Sequence, residues 1–401
     1  MMKLSYFYLH GVVGWSNFVL TSTSIYLYLG LPLIMREQGW SGTEIGLFQV
    51  SGLPVVLKFL FASSIDRFRF KHSNYIKWSL LLGGCFLLCL LALLMADIQT
   101  THFKTLFIIA LCTSLIISWL DVPVNAFAIQ RLPETERSKS GIIRSSVTAL
   151  SSVIGGGLML LVHTRFGWSW PFGIFAIMAL SAGVLLLICN RDFPVIQREK
   201  QANSVTEKNS FFVMWKGYFQ RPNMAMWNVI LAVYFPFVGA AWLYLKPVML
   251  DMGIGLENVA WVASVCGVLA ALVSFVYSLC AHRISPYRAL FVFSIVNFMV
   301  LLGMYVAVYL AWSDWRLIVA VMGVAIALGL SSGVLFGLIM LHSRMEFSAS
   351  DYGVQSSVFA FTRVIVAISA GVALDRVGYS GMYLLLIIGT VPVCILSFYA
   401  R

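Results

Sequence analysis

Charge is scarce in this chain. Its 27 lysines and arginines and 16 aspartates and glutamates make up 11% of 401 residues, where soluble domains carry roughly 25%. With 60% hydrophobic residues, that excludes a soluble globule and defines an integral membrane protein. Alternating strand patterns are missing, which excludes a β-barrel. No glycine run is followed by GK[ST]: Gly155, Gly156 and Gly157 follow no strand and read instead as a site of close helix contact. Without a nucleotide motif, an ion gradient rather than ATP is the energy source expected for transport. The seven cysteines show no CxxC and no metal-ligand spacing, so they read as small core residues, and neither metal nor cofactor is expected. No catalytic constellation is present, so the chain is not read as an enzyme. The N-terminus has one lysine and no small-residue cleavage site, which reads as a retained first helix. A net charge of +11 would suggest nucleic acid in a soluble protein; here it belongs to loops beside a membrane, and no nucleic-acid partner is expected.

What is present is apolar runs long enough to span a bilayer. Twelve are predicted, at 8–33, 43–64, 77–96, 104–130, 141–162, 170–190, 224–250, 257–280, 288–311, 316–340, 352–374 and 382–400. The longest hydrophilic break divides them near the middle. Three parts follow: an N-terminal six-helix half at 1–190, a linker at 191–221 and a C-terminal six-helix half at 222–401. With both termini placed in the cytoplasm, nineteen of the 27 lysines and arginines fall in cytoplasmic segments and five in outer loops. That satisfies the positive-inside rule. The remaining three, Lys58, Lys246 and Arg363, lie within spans.

The halves repeat. SSVTA at 145–149 matches SSVFA at 356–360, and RFGWSWPF at 165–172 matches RVGYSGMY at 376–383, both at an offset of 211 residues. A parallel duplication of six spans is the mark of the major facilitator architecture, with its site between the halves near the midplane. The fold class predicted is therefore all-α, with twelve transmembrane helices in two six-helix halves.

Span four reads LCTSLIISWLDVPVNAFAIQ and carries a carboxylate, Asp121, inside hydrocarbon. Such an acid costs on the order of 2.5–3.5 kcal/mol on insertion scales. Asn125 lies at i+4 on the same face, and Pro123 between them removes a backbone donor. From the helix rise, Asp121 lies roughly 15 Å, Lys58 roughly 12 Å and Arg363 roughly 18 Å from the inner ends of their spans. Lysine at that depth needs an anion. Lys58 and Asp121 are expected to pair, either as a proton-accepting couple or as a permanent structural ion pair. Arg363 could hold an anionic substrate group with its planar fork, or serve a helix-end carbonyl or Asp121. At the 211-residue offset Asp121 falls on Ser332 and Arg363 on Ser152. Each charge thus occurs in one half alone, which favours a role at a shared cavity.

Span one carries Trp15, Ser16, Asn17 and then TSTS at Thr21 to Ser24. This polar run reads equally as cavity lining or as helix–helix hydrogen bonding. Tyr26 and Tyr28 add aromatic surface toward the outer end. In span seven, Asn228 and Tyr234 are deep enough to favour a cavity, whereas Trp227, Trp242 and Tyr244 include interfacial belt residues. Lys246 is expected to snorkel, and His10 to lie at the interface. The candidate substrate-binding set is Arg363, Asn125, Asn17, Tyr26, Asn228 and Tyr234, with Asp121 and Lys58 as the proton-coupling pair.

Three stretches carry a family resemblance. SGLPVVLKFLFASSIDRF at 51–68 looks like the second-helix signature of the major facilitator branch that holds muropeptide permeases and ferric-siderophore permeases of the bacterial inner membrane. DVPVNA at 121–126, followed by RLPETER at 131–137, resembles its fourth-helix motif, D-I-x-x-D-A and then L-P-x-E-E-R. GLPLIMREQGWSGTEIGLF at 30–48 fits the same branch. Lys58 and Asp121 match that motif; Asn125 stands where it has a second acid, and Gln130 where a later one falls. The resemblance implies proton-coupled import of a bulky polar small molecule across the inner membrane by a monomer. A siderophore-type ligand is favoured, with muropeptide uptake or proton-antiport export of drugs or metabolites as alternatives.

Overall fold

The computed structural model describes residues 2–68, 70, 74–96, 98, 101–192 and 211–400, and among them there is no strand. Helix is what lipid permits, since an unpaired backbone group in hydrocarbon has no water to turn to. Eleven helices are long and apolar enough to cross a membrane. They are α1 Tyr6–Glu37, α2 Glu44–Arg67, α3 Asn74–Met95, α4 Phe103–Arg131, α5 Glu134–Phe166, α6 Ser169–Cys189, α7 Met224–Asp251, α8 Glu257–Arg283, α9 Pro286–Tyr309, α10 Trp315–His342, and a final run Ser348–Tyr399. That run is two helices. Gly378 takes φ 69°, outside helical space, and separates α11 (348–377) from α12 (379–399). The twelve spans predicted are all present. α5 starts well before its apolar run because Glu134 and Glu136 occupy its first turn, where the positive end of the helix dipole favours acids. Hydropathy alone does not register that polar turn.

Several spans are interrupted where the chemistry requires it. A capping box, Ser41 with Glu44, starts the helix that enters α2. Leu53–Leu57 is then a tighter 3-10 turn containing Pro54, and regular helix resumes at Lys58. In α7, Pro236 follows a turn and starts the segment Pro236–Leu243. α1 and α5 each widen into one wider-than-α turn, Tyr26–Gly30 and Ile154–Leu158.

The described residues form two compact units. The first comprises Met1–Ser140, Leu150–Tyr218 and Leu341–Ser357; the second comprises Gly141–Ala149, Phe219–Met340 and Val358–Arg401. α5 and α11 thus each contribute to both. Within the second unit, Ser274 Oγ donates to the Ile142 carbonyl at 3.2 Å, and the Arg144 guanidinium stacks 5.2 Å from the Phe336 ring centroid. Within the first, the Phe59 amide donates to Ser357 Oγ at 3.0 Å. Most of the expected linker lies outside the described residues. Its end, Phe211–Phe219, is helical, and up to Tyr218 it belongs to the first unit. Trp215 Nε1 donates to Ser63 Oγ at 2.8 Å, and Arg344 Nη2 to the Met214 carbonyl at 3.1 Å.

Two expectations are corrected, on the cysteines and His10, and the open reading of the polar run in α1 narrows at two positions. Of the cysteines, Cys189 and Cys266 are buried, whereas Cys112 and Cys280 are exposed; a thiol facing lipid carries little penalty, so composition does not fix its side. His10 is buried, with Nε2 3.0 Å from Glu136 at the start of α5. Thr23 spends its hydroxyl on the Val19 carbonyl of its own helix, and Ser22 is wholly buried. The polar run of α1 therefore serves helix contact at these two positions. Its partner is Gly155, where an added Cβ would overlap the Ser22 carbonyl, while one on Gly157 would meet nothing within 4 Å. Gly155→Val is expected to cost roughly 1–3 kcal/mol as overpacking against backbone. Gly157→Ala should be neutral or slightly stabilising. Thermal unfolding of the two variants in detergent measures the contrast.

Candidate functional site

The break in α2 and the proline in α4 place two charges together. Lys58 begins the regular part of α2, and its Nζ lies 2.6 Å from Asp121 Oδ2 on α4. Their side chains are 9% and 7% exposed, so water screens the pair little. The same oxygen accepts a second donor, the hydroxyl of Tyr352 on α11, at 3.0 Å. Behind the carboxylate, Asn125 Nδ2 donates to the Asp121 carbonyl at 2.7 Å and to Oδ1 at 3.2 Å. Asn125 and Asn17 of α1 then exchange amide hydrogen bonds at 3.0 and 3.2 Å, and Asn17 Nδ2 also donates to the Val13 carbonyl at 2.9 Å. Four helices of the first unit, α1, α2, α4 and α11, thereby share one buried polar chain.

Tyr352 was not legible as a site residue. Nothing at Asp351-Tyr352-Gly353 signals depth or partner; only the packing of α11 brings its hydroxyl to α4. The approach is close, since a Cβ on Gly353 would overlap that of Ala62 on α2. Asp66, in the last turn of α2, was also missed. It is fully buried, accepting from Tyr75 Oη at 2.8 Å and from the Ser350 amide at the start of α11 at 2.8 Å. Arg344 grips Asp351 through two nitrogens at 2.7 and 2.8 Å. These ties hold the first turns of α11 within the first unit.

The remaining sequence-predicted residues separate. Asn17 and Asn125 are buried in the polar chain, so they act on Asp121 rather than on an open surface. Tyr26 is fully buried, its ring packed 5.5 Å from Phe172 and 5.9 Å from Phe175 of α6. It is the first residue of the widened turn of α1. Tyr234 is likewise buried, donating to the Leu290 carbonyl of α9 at 2.9 Å. Asn228 is half-buried and donates to the Met224 carbonyl one turn back. Lys246 is exposed, as snorkelling requires.

Arg363 lies in the second unit, and its surroundings differ from those of Lys58. Its face of α11 is turned to α7 and α10. Phe359, one turn before, packs 5.0 Å from Phe235 and 5.3 Å from Phe336. The Ala367 carbonyl, one turn after, accepts from Tyr244 Oη at 3.2 Å. The guanidinium sits 5.9 Å from the Phe359 ring centroid, its side chain is exposed, and among the described residues it has no hydrogen-bond or ion-pair partner. An accessible fork of donors backed by an aromatic ring can take a carboxylate or phosphate edge-on.

Twelve spans with an internal ion pair define the class as a membrane transport protein. The Major Facilitator Superfamily family model matches residues 13–346, and the chain belongs to that family of secondary transporters. It is 25% identical over 391 residues to the anhydromuropeptide permease of Escherichia coli strain K12, covering 93% of this chain and 77% of that protein. It is 22% identical over 389 residues to the putative transporter AmpG 4 of Rickettsia conorii, covering 94% and 92%. Among solved structures, the proton:xylose symporter XylE bound to 6-bromo-6-deoxy-D-glucose superposes with a TM-score of 0.77 at 11% identity, over 99% of this chain and 96% of that one. FucP in the outward conformation does so at 0.76 and 15%, over 99% of both chains. These superpositions establish the fold.

Removing one member of the buried pair should cost far more than removing both. Asp121→Asn strands Lys58 and is expected to cost roughly 3–5 kcal/mol, and Lys58→Met in the same chain should recover most of it. Tyr352→Phe keeps the packing and deletes one bond to a charged group, about 1.5–3 kcal/mol. Thermal unfolding of the four proteins in detergent gives the order. Equal melting of Asp121→Asn and the double variant would refute the pairing as a source of stability.

Proposed function

We propose that this chain imports a bulky, polar, anionic solute of the anhydromuropeptide class across the bacterial inner membrane, with both termini in the cytoplasm. In this reading Asp121 carries the coupling proton, Lys58 is its counter-charge, and Arg363 binds an acidic group of the substrate. The protein works as a monomer, since the polar chain around Asp121 is complete within one polypeptide. The observation that carries the substrate class is the likeness, over nearly the whole chain, to proteins named as anhydromuropeptide permease and AmpG transporters. It supports muropeptide uptake better than the siderophore-type ligand that the sequence motifs favoured. A peptide-bearing sugar offers carboxylates, the groups that an exposed guanidinium on an aromatic ring recognises. The orientation rests on the lysine and arginine imbalance between loops.

The coupling step follows from the geometry of the carboxylate. As the anion, Asp121 is held by Lys58 and Tyr352 together. As the acid, it loses its charge-assisted bonds to both, so its grip on α2 and α11 weakens. Binding a proton and loosening those helices are then one event, which is the requirement for coupled transport.

Labelled anhydromuropeptide and a panel of ferric chelates, offered to right-side-out vesicles, test the substrate class. Accumulation of the muropeptide alone is expected. Uptake of a chelate alone would return the reading to siderophores, and efflux without uptake would make the chain an exporter. Arg363→Lys keeps the charge and loses the fork, so half-saturation should rise about tenfold, the equivalent of about 1.4 kcal/mol. Asp121→Asn should abolish accumulation against a gradient and leave counterflow exchange measurable. Retained accumulation with an unchanged pH profile would place the coupling site elsewhere.

A further inference from the structure

The first unit contains a second feature unrelated to the ion pair. A cavity of about 280 Å³ lies among α1, α3, α4 and α6. Three glycines line it, Gly83 and Gly84 on α3 and Gly183 on α6. Glycine inside a helix costs about 1 kcal/mol relative to alanine, and in membranes that cost is usually offset by close helix contact. No such contact exists here. A Cβ built on any of the three would meet nothing within 4 Å, in contrast to Gly155. These glycines keep space open.

The space is directed at lipid. Gly84 and Leu187 of its lining are exposed, and so are the neighbouring Leu81, Leu88 and Ile188, in helices whose outward surfaces are apolar. A hydrocarbon chain is what such a mouth meets in a bilayer. Two serines break the apolar wall, and Ser16 Oγ donates to the Val12 carbonyl of its own helix. Ser79 is 3% exposed, lines the cavity, and its Oγ has no hydrogen-bond partner. A buried hydroxyl without a partner is costly, and an acceptor entering the cavity would satisfy it. Lys77, Leu80, Gly84 and Leu87 follow at spacings of three and four, so they share one stripe of α3. Lys77 heads that stripe near the helix start, exposed and with no carboxylate partner among the described residues. From Ser79 to Leu87 the helix rises about 12 Å.

We propose that this crevice holds one acyl chain of an anionic diacyl phospholipid. The chain lies over Gly83, Gly84 and Gly183, its ester carbonyl accepts from Ser79 Oγ, and its phosphate faces Lys77. The order of the three groups along α3 matches the order of a lipid: charge, ester, hydrocarbon. The site is separate from Asp121 and does not depend on which solute is carried.

The full-length protein, reconstituted in phosphatidylethanolamine vesicles doped with a phosphatidylglycerol bearing a diazirine at mid-chain, tests this by photolabelling and peptide mapping. Label is expected to concentrate on residues 79–87 and 179–187, above the level on the lipid-facing leucines of α9 and α12. Gly83→Leu with Gly183→Leu fills the crevice and should lower label there about tenfold, the loss that two or so unburied methylenes produce. If that variant does not fold, Gly84→Ala narrows the same space and should lower it in the same direction. Lys77→Gln should reduce the preference for labelled phosphatidylglycerol over labelled phosphatidylcholine about fivefold. Label spread evenly over all lipid-facing helices, or unchanged by filling, overturns the site. Equal labelling by both headgroups in the wild type overturns its anionic character.

Discussion

A carboxylate inside hydrocarbon has to find its donors within the protein, and Asp121 shapes the first unit by where it finds them. Lys58 comes from the restart of a broken α2, Tyr352 from the first turns of α11, and the amides of Asn125 and Asn17 stand behind it. Each donor is itself buried, so none could be left without a partner cheaply. The break at Pro54 and the close approach of Gly353 to Ala62 are intelligible as what brings these groups within reach. Ion pairs of this kind contribute little net stability compared with apolar packing, and what they retain is a specific geometry that charge can change.

Lys58 and Arg363, two of the cations within spans, differ in how packing surrounds them. Lys58 is closed in with its acid, whereas Arg363 lies on a face of α11 ordered by Phe359 and Ala367 and keeps its guanidinium accessible. The fork that makes arginine useful for planar anions is wasted in a sealed pair, and the compact ammonium of lysine suits one. α11 carries Tyr352, which donates to the carboxylate within the first unit, and Arg363, which lies in the second.

Tight and loose glycines in this chain carry opposite meanings. Gly155 is pressed on a neighbouring backbone, so its missing side chain is a packing requirement; Gly83, Gly84 and Gly183 face open volume. Residue type alone does not distinguish these cases. The same holds for aromatic residues: Tyr26 and Tyr234, both candidate binding residues by type, are buried among helices.

Sequence by itself determined the helices, their number and two of the buried charges, Lys58 and Asp121. The reason is that the bilayer imposes length and apolarity on each span, and a charge inside such a span stands out against that background. It also determined that Lys58 and Asp121 should meet, since each at similar depth needed the other. Tertiary structure alone decided which face each helix turns inward. Hydropathy in membrane spans has little periodicity to report it, because both the bundle interior and the lipid are apolar. That is why Tyr352 and Asp66 were invisible, why the partnership of Asn125 with the acid and of Asn17 with Asn125 could not be foreseen, and why the burial of Tyr26 and Tyr234 could not be read from their type.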